Sequence, residues 1–180
     1  MNNSYVAGFF DGEGSAMAFT IKRKLSGKTM FRIRPVLKIA QGKRGILDLV
    51  RDYLGYGTVV GTSRGGYALQ INSNKDIIKF ADSVGALLVI KKKQVLLLKR
   101  LAQFQDDNFS NCPYTREAVE YMLDIRDEVF KANTWTRSRI MQKYSKDDVM
   151  SQHTFIDIEE WKQNREKRRR DAHGKYLSGV

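Results

Sequence analysis

The chain has 180 residues, of which 42% are hydrophobic, enough for one ordinary core. Its formal net charge of +12 implies a large acidic partner, and nucleic acid fits best. A membrane surface would also attract cations, but there is no apolar run of about 18 residues and no secretory signal pattern, so we expect a soluble, unprocessed protein without a membrane partner.

The chain opens with an apolar segment, YVAGFFDGEGS at residues 5–15, that carries glycines and ends on two carboxylates. A helix that ends near Asp11 would place Gly8 and Gly12 on one side, where small residues permit close helix approach. Carboxylates are costly to bury unless they are paired, hydrogen-bonded or metal-bound. If two such helices packed together, Asp11 would satisfy helix-end donors and Glu13 would emerge between them. The simpler alternative, a glycine-rich turn before the first strand, leaves Gly8 unexplained.

Alternating residues then predict a hairpin. In SAMAFTIKRK, residues 15–24, the apolar Met17, Phe19 and Ile21 alternate with polar residues, which predicts a strand with these three on its buried face. After a glycine-containing turn, FRIRPVLKIAQ at residues 31–41 alternates again and predicts the second strand.

Helical spacing of apolar residues predicts the helices. One helix follows the hairpin and ends at Gly55, and another begins after a cap at Asn72 or Ser73. Between them, residues 58–72 predict two more strands around a turn. The order αββαββα predicts an α+β fold with a four-stranded antiparallel sheet. Further helices are predicted to begin near Ile90, Pro113 and Ile156.

Cations on the first hairpin predict a basic outer face on the sheet. Arg32 and Arg34 would donate to guanine edges, and Gln70 or Asn72 would pair with adenine. A strand of about ten residues is ~33 Å long and matches about ten base pairs of a major groove. The alternative is a solvated face, but adjacent cations repel one another without an anion above them. The predicted basic face consists of Lys22, Lys24, Arg32, Arg34 and Lys38.

Cysteine and histidine are too scarce for several kinds of site. Cys112 is the only cysteine, so no intrachain disulfide can form, in agreement with a reducing compartment. His153 and His173, the only histidines, cannot make a histidine-rich zinc site. Any metal must therefore rest on oxygen ligands.

The segment VAGFFDGEGS, residues 6–15, and the αββαββα order resemble the LAGLIDADG homing endonucleases, DNA-cutting proteins encoded by mobile introns and inteins. The signature occurs once, which is similar to the single-motif branch that works as a homodimer. The resemblance covers about residues 1–105. We therefore treat 1–180 as a single domain, with a core at about 1–105 and a helical extension at about 106–180.

The resemblance implies a curved DNA-binding sheet and a role for each matched residue. Glu13 and the main-chain carbonyl of Gly12 would bind Mg²⁺, with Mn²⁺ or Ca²⁺ as substitutes, and Glu13 stands where the family more often has Asp. Gln41 would organise the attacking water, and Lys91 would stabilise charge at the scissile phosphate. The dimer interface would comprise Tyr5, Gly8, Phe9 and Gly12, and the basic loop NTWTRSR would touch the DNA backbone through Arg137 and Arg139.

These implications predict an intron-encoded, site-specific endonuclease that makes a staggered double-strand cut in a long pseudo-palindromic site by metal-dependent phosphodiester hydrolysis. The alternative is a non-cleaving nucleic-acid binder of the same fold, either a maturase that binds intron RNA or a DNA-binding regulator. A ribosomal or architectural protein would leave the opening carboxylates without a role. The expected location is the cytoplasm of a prokaryote or archaeon, or an organelle or the nucleus of a eukaryote.

Overall fold

The structure, a computed structural model, describes residues 1–25, 27–63, 65–109, 115–133 and 143–155, together with 157, 159, 162 and 163. The predicted αββαββα order and the α+β class are confirmed. The elements are α1 (Asn3–Glu13), β1 (Gly14–Leu25), β2 (Lys28–Gln41), α2 (Arg44–Leu54), β3 (Thr58–Gly61), β4 (Tyr67–Ile71), α3 (Asn74–Ser83), α4 (Lys92–Phe109), α5 (Arg116–Ala132) and α6 (Lys146–Gln152), with a 3-10 turn at Gly85–Leu87.

The four strands form one antiparallel sheet in the order β1-β2-β4-β3. β1 and β2 pair along their whole shared length, from Gly14 opposite Ile39 to Leu25 opposite Lys28. β4 pairs with β2 only over residues 37–41. The first hairpin therefore continues beyond the four-stranded part as a two-stranded ribbon, residues 17–25 and 28–36, which we call the outer ribbon.

The strand register reverses the predicted faces of β1. Ile21 lies opposite Arg32, and directly opposed residues of an antiparallel pair share one face. The cause is the loop, because Leu25 pairs with Lys28 and so short a turn fixes a register that alternation alone leaves open. The prediction that Met17, Phe19 and Ile21 form the buried face was wrong; they lie on the outer face, with Phe19 39% exposed.

The helices pack against the other face of the sheet and form the core with it. Phe31 and Ile33 of β2 are buried there, and Phe10 of α1 packs against Phe80 of α3 with ring centroids 5.0 Å apart. Helix α5 contacts β1, since buried Arg126 donates to the Thr20 hydroxyl at 2.7 Å. None of the described helices is long and apolar enough to cross a bilayer. The outer face is thus left open along the length of the hairpin.

Two predicted helix caps are confirmed, whereas α5 begins at Arg116, with Thr115 as its N-cap, and not at Pro113. The Ser73 hydroxyl accepts a hydrogen bond from the N–H of Asp76, and Gly55 ends α2 with a φ of +77°. Helix α6 was not predicted, although Ser145 and Asp148 form a capping box at its start. The predicted helix at residues 156–170 lies almost entirely outside the described residues.

Candidate active site

Helix α1 carries the predicted signature and runs directly into the sheet. Its N-terminus is capped by Asn2, whose side chain accepts a hydrogen bond from the Tyr5 N–H at 2.9 Å. At its C-terminus a Cβ atom on Gly14 would lie 2.5 Å from the buried Phe10 ring, so this position requires glycine. This close connection between α1 and β1 leaves Glu13, the last residue of the helix, exposed beside the start of β1.

The Asp11 carboxylate accepts hydrogen bonds from main-chain groups of the same chain. It accepts hydrogen bonds from the N–H groups of Val89 at 2.7 Å and Lys91 at 2.9 Å, just before α4. Burial raises the pKa of Asp11, but the N–H groups of Val89, Lys91 and Ile90 together lower it more, and its pKa lies below the ordinary value of 3.8. Asp11 satisfies helix-end donors within one chain, rather than between two opening helices as expected.

Lys91 completes a reciprocal link between α1 and α4. Its ammonium group donates to the carbonyl of Phe10 at 3.2 Å and to the carbonyl of Asp11. Burial lowers the pKa of Lys91, and the negative charges of Asp11 and Glu13 counter this effect only in part. The structure therefore brings Lys91 into the electrostatic field of Glu13, at the end of α1.

Glu13 and Gln41 line the same cleft, although they are distant in sequence. The cleft has a volume of about 510 Å³. The Gln41 amide oxygen accepts a hydrogen bond from the Gly42 N–H at 2.8 Å. The β3–β4 turn packs closely against this residue, because a Cβ atom on Gly66 would lie 3.1 Å from the Gln41 carbonyl oxygen. The lining residues are Glu13, Lys38, Ala40, Gln41, Gly42, Thr62, Ser63, Gly65 and Tyr67.

The donor set at this cleft suits a hard divalent cation shared with a substrate. No group of three or more acidic, histidine or cysteine side chains that could hold a metal occurs among the described residues. Glu13 is the only acidic residue that lines the cleft in the part of the chain described, and Asp11 is held by N–H groups. Mg²⁺ is commonly held by one or two carboxylates plus substrate phosphates and waters. One chain offers such an arrangement in Glu13, with the Gly12 carbonyl beside it in sequence.

The outer face of the sheet carries a basic strip that leads away from the cleft. Arg32 and Arg34 are exposed on β2, and Lys38 lies on the same face at the cleft. Arg23 shares this face because it is opposite Met30. Arg23 was not among the predicted DNA-binding residues, although a turn that pairs Leu25 with Lys28 places it on this face.

Lys22 and Lys24 lie on the opposite face, so their assignment to the basic face was wrong. Lys22 Nζ donates to Gln152 Oε1 at 2.7 Å and lies 5.6 Å from the centroid of the Phe31 ring. Both contacts tie Lys22 to the helical side of the sheet, away from Arg32. The physical reason is again the hairpin register, which puts the even-numbered residues of β1 on the core side.

Gln70 continues the outer face onto β4, where it lies opposite Lys38. Asn72 follows on the same side, and its amide donates to Gln70 Oε1 at 3.4 Å. Gln70 therefore lies on the four-stranded part of the sheet, with Asn72 just after β4, and neither is on the outer ribbon. Arg137 and Arg139 lie outside the described residues.

The predicted interface residues share the outward side of α1. Tyr5 is 48% exposed and its ring stacks on that of Phe9 with centroids 6.1 Å apart. A Cβ atom on either Gly8 or Gly12 would meet nothing within 4 Å. Val6, Ala7 and Phe10, on the other side, are buried. One side of the helix thus lies in the core, and the other is open at Gly8 and Gly12, where no side chain projects.

An exposed carboxylate at a helix end, an amide in the same cleft and a lysine at that helix end thus lie next to a basic sheet face. The family model described as LAGLIDADG endonuclease matches residues 6–102. The chain belongs to the LAGLIDADG endonuclease family. The predicted family, fold class and activity, a site-specific DNA endonuclease, are thereby confirmed.

Solved structures share the fold at low sequence identity. The archaeal endonuclease I-Vdi141I is 20% identical with a TM-score of 0.70, over 89% of this chain and 96% of its own. The homing endonuclease I-CvuI is 18% identical with a TM-score of 0.69, over 83% and 90%. I-TnaI is 20% identical with a TM-score of 0.58, over 76% and 99%. No curated protein sequence matches the chain.

Proposed function

We propose that the protein is a homodimeric, divalent-metal-dependent homing endonuclease that recognises a long pseudo-palindromic DNA site. The observation that carries the proposal is the position of Glu13, an exposed carboxylate at the junction of α1 with the basic sheet. Among the residues that the structure describes, one chain supplies one such carboxylate at its cleft, whereas a double-strand cut requires two reacting phosphates. A second copy is therefore needed for the second strand.

The structures of relatives support the proposed metal dependence and DNA binding. I-CvuI was solved with a DNA target in the presence of Mg, with the DNA not cleaved, and with its own target in the presence of Ca. I-Vdi141I is described as intron-encoded and was solved with DNA. We extend these properties to this chain as proposals, including its encoding within an intron.

The open side of α1 would bring the two copies together. Gly8 and Gly12 have no Cβ atom and nothing packed above them, so a second α1 could approach closely at these positions. Tyr5, which is exposed, and Phe9, which is partly buried against the core, flank them as a stacked aromatic pair. Contact along this side would place both Glu13 residues near the two-fold axis, one for each strand.

Four groups of the chain would act at the scissile phosphate. Glu13 and the Gly12 carbonyl would hold a divalent cation, which when bound activates water and stabilises the leaving oxygen. Gln41, whose amide oxygen is fixed by the Gly42 N–H, retains two N–H donors to orient a water. Lys91, anchored at the end of α1, would supply a positive charge for the developing negative charge.

Plasmid cleavage tests the proposal. A target is first selected from a random DNA library by cleavage with the wild-type protein and cloned into a supercoiled plasmid. With Mg²⁺ the wild type should linearise the plasmid, and Glu13→Gln should lose cleavage by at least about 100-fold while it still binds the target. Glu128→Gln, which neutralises an exposed carboxylate on α5, is the matched control and should cut normally.

The other outcomes separate the alternatives. Equal cutting by Glu13→Gln would refute the role of Glu13. Failure of the wild type to cut any member of the library with Mg²⁺, while it still enriches one sequence by binding, would favour the non-cleaving maturase or regulator. A wild-type protein that remains monomeric on its target would refute the homodimer.

A further inference from the structure

Within the outer ribbon, β2 has a strand partner on one side only. β2 leaves β4 at Leu37, whereas its pairing with β1 continues to Lys28. Residues 28–36 therefore extend about 30 Å beyond β4. An isolated two-stranded hairpin is at best marginally stable in water. Since Arg32 and Arg34 lie on this ribbon, its support decides where they point.

Residues after α6 cover the free edge of the outer ribbon near its tip. The Thr154 N–H donates to the Thr29 carbonyl at 2.7 Å, and the Thr154 hydroxyl accepts from the Thr29 N–H at 3.2 Å. The His153 Nδ1 atom accepts from the Phe31 N–H at 3.1 Å. Main-chain and side-chain groups of residues 153–154 thus take the place of a third strand.

Helix α4 covers the next position along the same edge. Gln105 is buried, and its amide donates to the Ile33 carbonyl at 2.7 Å. The edge position after that is Pro35, which has no N–H to satisfy. The free edge is therefore held by three residues, which we call the edge clasp: Gln105, His153 and Thr154.

The clasp is itself fixed by buried contacts behind the ribbon. The His153 ring packs on Phe31 with centroids 6.2 Å apart and on Phe155 at 4.7 Å. Tyr144 meets the same Phe31 ring edge-on at 5.1 Å. Arg126, 1% exposed, donates to the Tyr144 carbonyl at 3.0 Å and so joins α5 to this group. Beyond its pairing with β4, the tip of the ribbon is therefore anchored by the C-terminal part of the chain and not by a further strand.

Arg32 lies between two clasped backbone positions, Phe31 and Ile33, with its side chain on the opposite, DNA-facing side of the strand. We infer that the edge clasp positions Arg32 for recognition of the outer base pairs of each half-site, so that Gln105 and His153 are specificity-determining positioning residues. The inference rests on the proposed function. Ile21, opposite Arg32, is about 23 Å along β1 from Gly14. In the proposed dimer Gly14 lies next to Glu13, near the two-fold axis and thus near the centre of the target. The affected base pairs therefore lie about seven base pairs from that centre.

The inner part of the sheet provides an internal reference. Lys38 and Gln70 lie opposite each other where β4 supports β2, and no member of the clasp bonds to this part of the strand among the hydrogen bonds described. Loss of the clasp should therefore relax recognition at outer positions and leave inner positions unchanged. A general loss of stability would affect both alike.

The test is a position-by-position cleavage profile on the target that the wild type selects. Every base pair of the target is varied singly, and cleavage rates are measured for wild type, His153→Leu and His153→Asn. His153→Leu removes the acceptor for the Phe31 N–H and should reduce discrimination about seven base pairs from the centre by at least about fivefold, because a good base contact is worth 1–3 kcal/mol. His153→Asn keeps a side-chain oxygen near the position of Nδ1 and should restore much of the profile.

Two further variants keep the test decisive. Thr154→Val removes one acceptor with little change of shape and should show the same positional loss in milder form, so it replaces His153→Leu if that variant does not fold. Val50→Ala, at a buried position of α2, lowers stability without touching the clasp and should change cleavage at inner and outer positions alike, with no selective loss at the outer ones. A uniform loss at all positions, or an unchanged profile in both clasp variants, would overturn the inference. A wild-type protein that selects no target would instead refute the proposed function.

Discussion

At the scale of single residues, the two carboxylates of the signature have separate tasks. Asp11 binds the N–H groups of Val89 and Lys91, whereas Glu13 is exposed at the cleft. Only the second is available to a cation or a phosphate. The first holds Lys91 where its ammonium group meets the end of α1, so one side chain stabilises the fold and the other lies exposed at the cleft.

Asp11→Asn should therefore be destabilising at neutral pH. The neutral amide loses charge-assisted hydrogen bonds and turns an N–H₂ group toward donors, at a cost of about 1–3 kcal/mol. Because the pKa of Asp11 is below 3.8 in the fold, its stabilisation is present above this value and is lost as the pH falls through the folded pKa. Urea unfolding at pH 7 and pH 3 measures both effects. Asp107→Asn, at an exposed position of α4, should change neither.

At the scale of elements, the faces of β1 distinguish two adjacent cations. Arg23 lies on the outer face and Lys24 on the core side. Arg23→Ala should weaken binding to the selected target and reduce the slope of log K against log salt by about 0.9, as expected for one lost phosphate contact. Lys24→Ala should leave the slope unchanged. Equal effects of the two variants in a salt titration would show that the register does not govern DNA contact.

Helix α1 gives a second prediction at this scale. Gly8→Leu should preserve the fold, since a Cβ atom there meets nothing and leucine favours a helix by roughly 0.8 kcal/mol over glycine. In the proposed dimer the side chain would obstruct the partner helix, and the dissociation constant should rise by at least about 100-fold, or ~2.7 kcal/mol. Analytical ultracentrifugation measures this change. Gly45→Leu, equally open but on α2, is the control and should remain dimeric.

The sequence predicted elements better than their faces. Caps are local, so Ser73 and Gly55 marked the helix ends correctly. The face of β1 depends on its pairing with β2, and apolar residues on both faces made the alternation ambiguous. Helix α6 is short and its one buried apolar residue, Val149, gives no periodic pattern, so only its capping box could have revealed it. The partners of Asp11 are nearly eighty positions away, and only the folded chain shows them.

At the scale of the whole molecule, the C-terminal segment closes the structure by returning to the first hairpin. His153 accepts a hydrogen bond from Phe31, and burial lowers its pKa below the ordinary value of 6.5. The neutral ring is the form that fits, since protonation removes the acceptor at Nδ1. The contact therefore couples the stability of the molecule to pH.

The expected direction follows from the lowered pKa. The stabilising contribution of His153 is complete above pH 6.5, the value of the unfolded chain, and is lost as the pH falls through the folded pKa. Lys22 and Arg116 lie over the rings of Phe31 and Phe155, which pack against His153. Thermal unfolding between pH 7.5 and 5.5 should show a falling Tm for wild type and a flatter one for His153→Asn. Parallel curves would contradict the assignment.

The reach of the outer ribbon has a consequence for the rarity of the target. It adds about 30 Å of contact, nearly one turn of duplex, without enlarging the hydrophobic core. Two such arms, one on each half of the site, would address about twenty base pairs. A fully specified sequence of that length occurs once in roughly 10¹² random positions, far more than the 10⁶–10⁹ sites that a genome offers. A dimer of a chain this small could in this way restrict its cleavage to roughly one site in a genome.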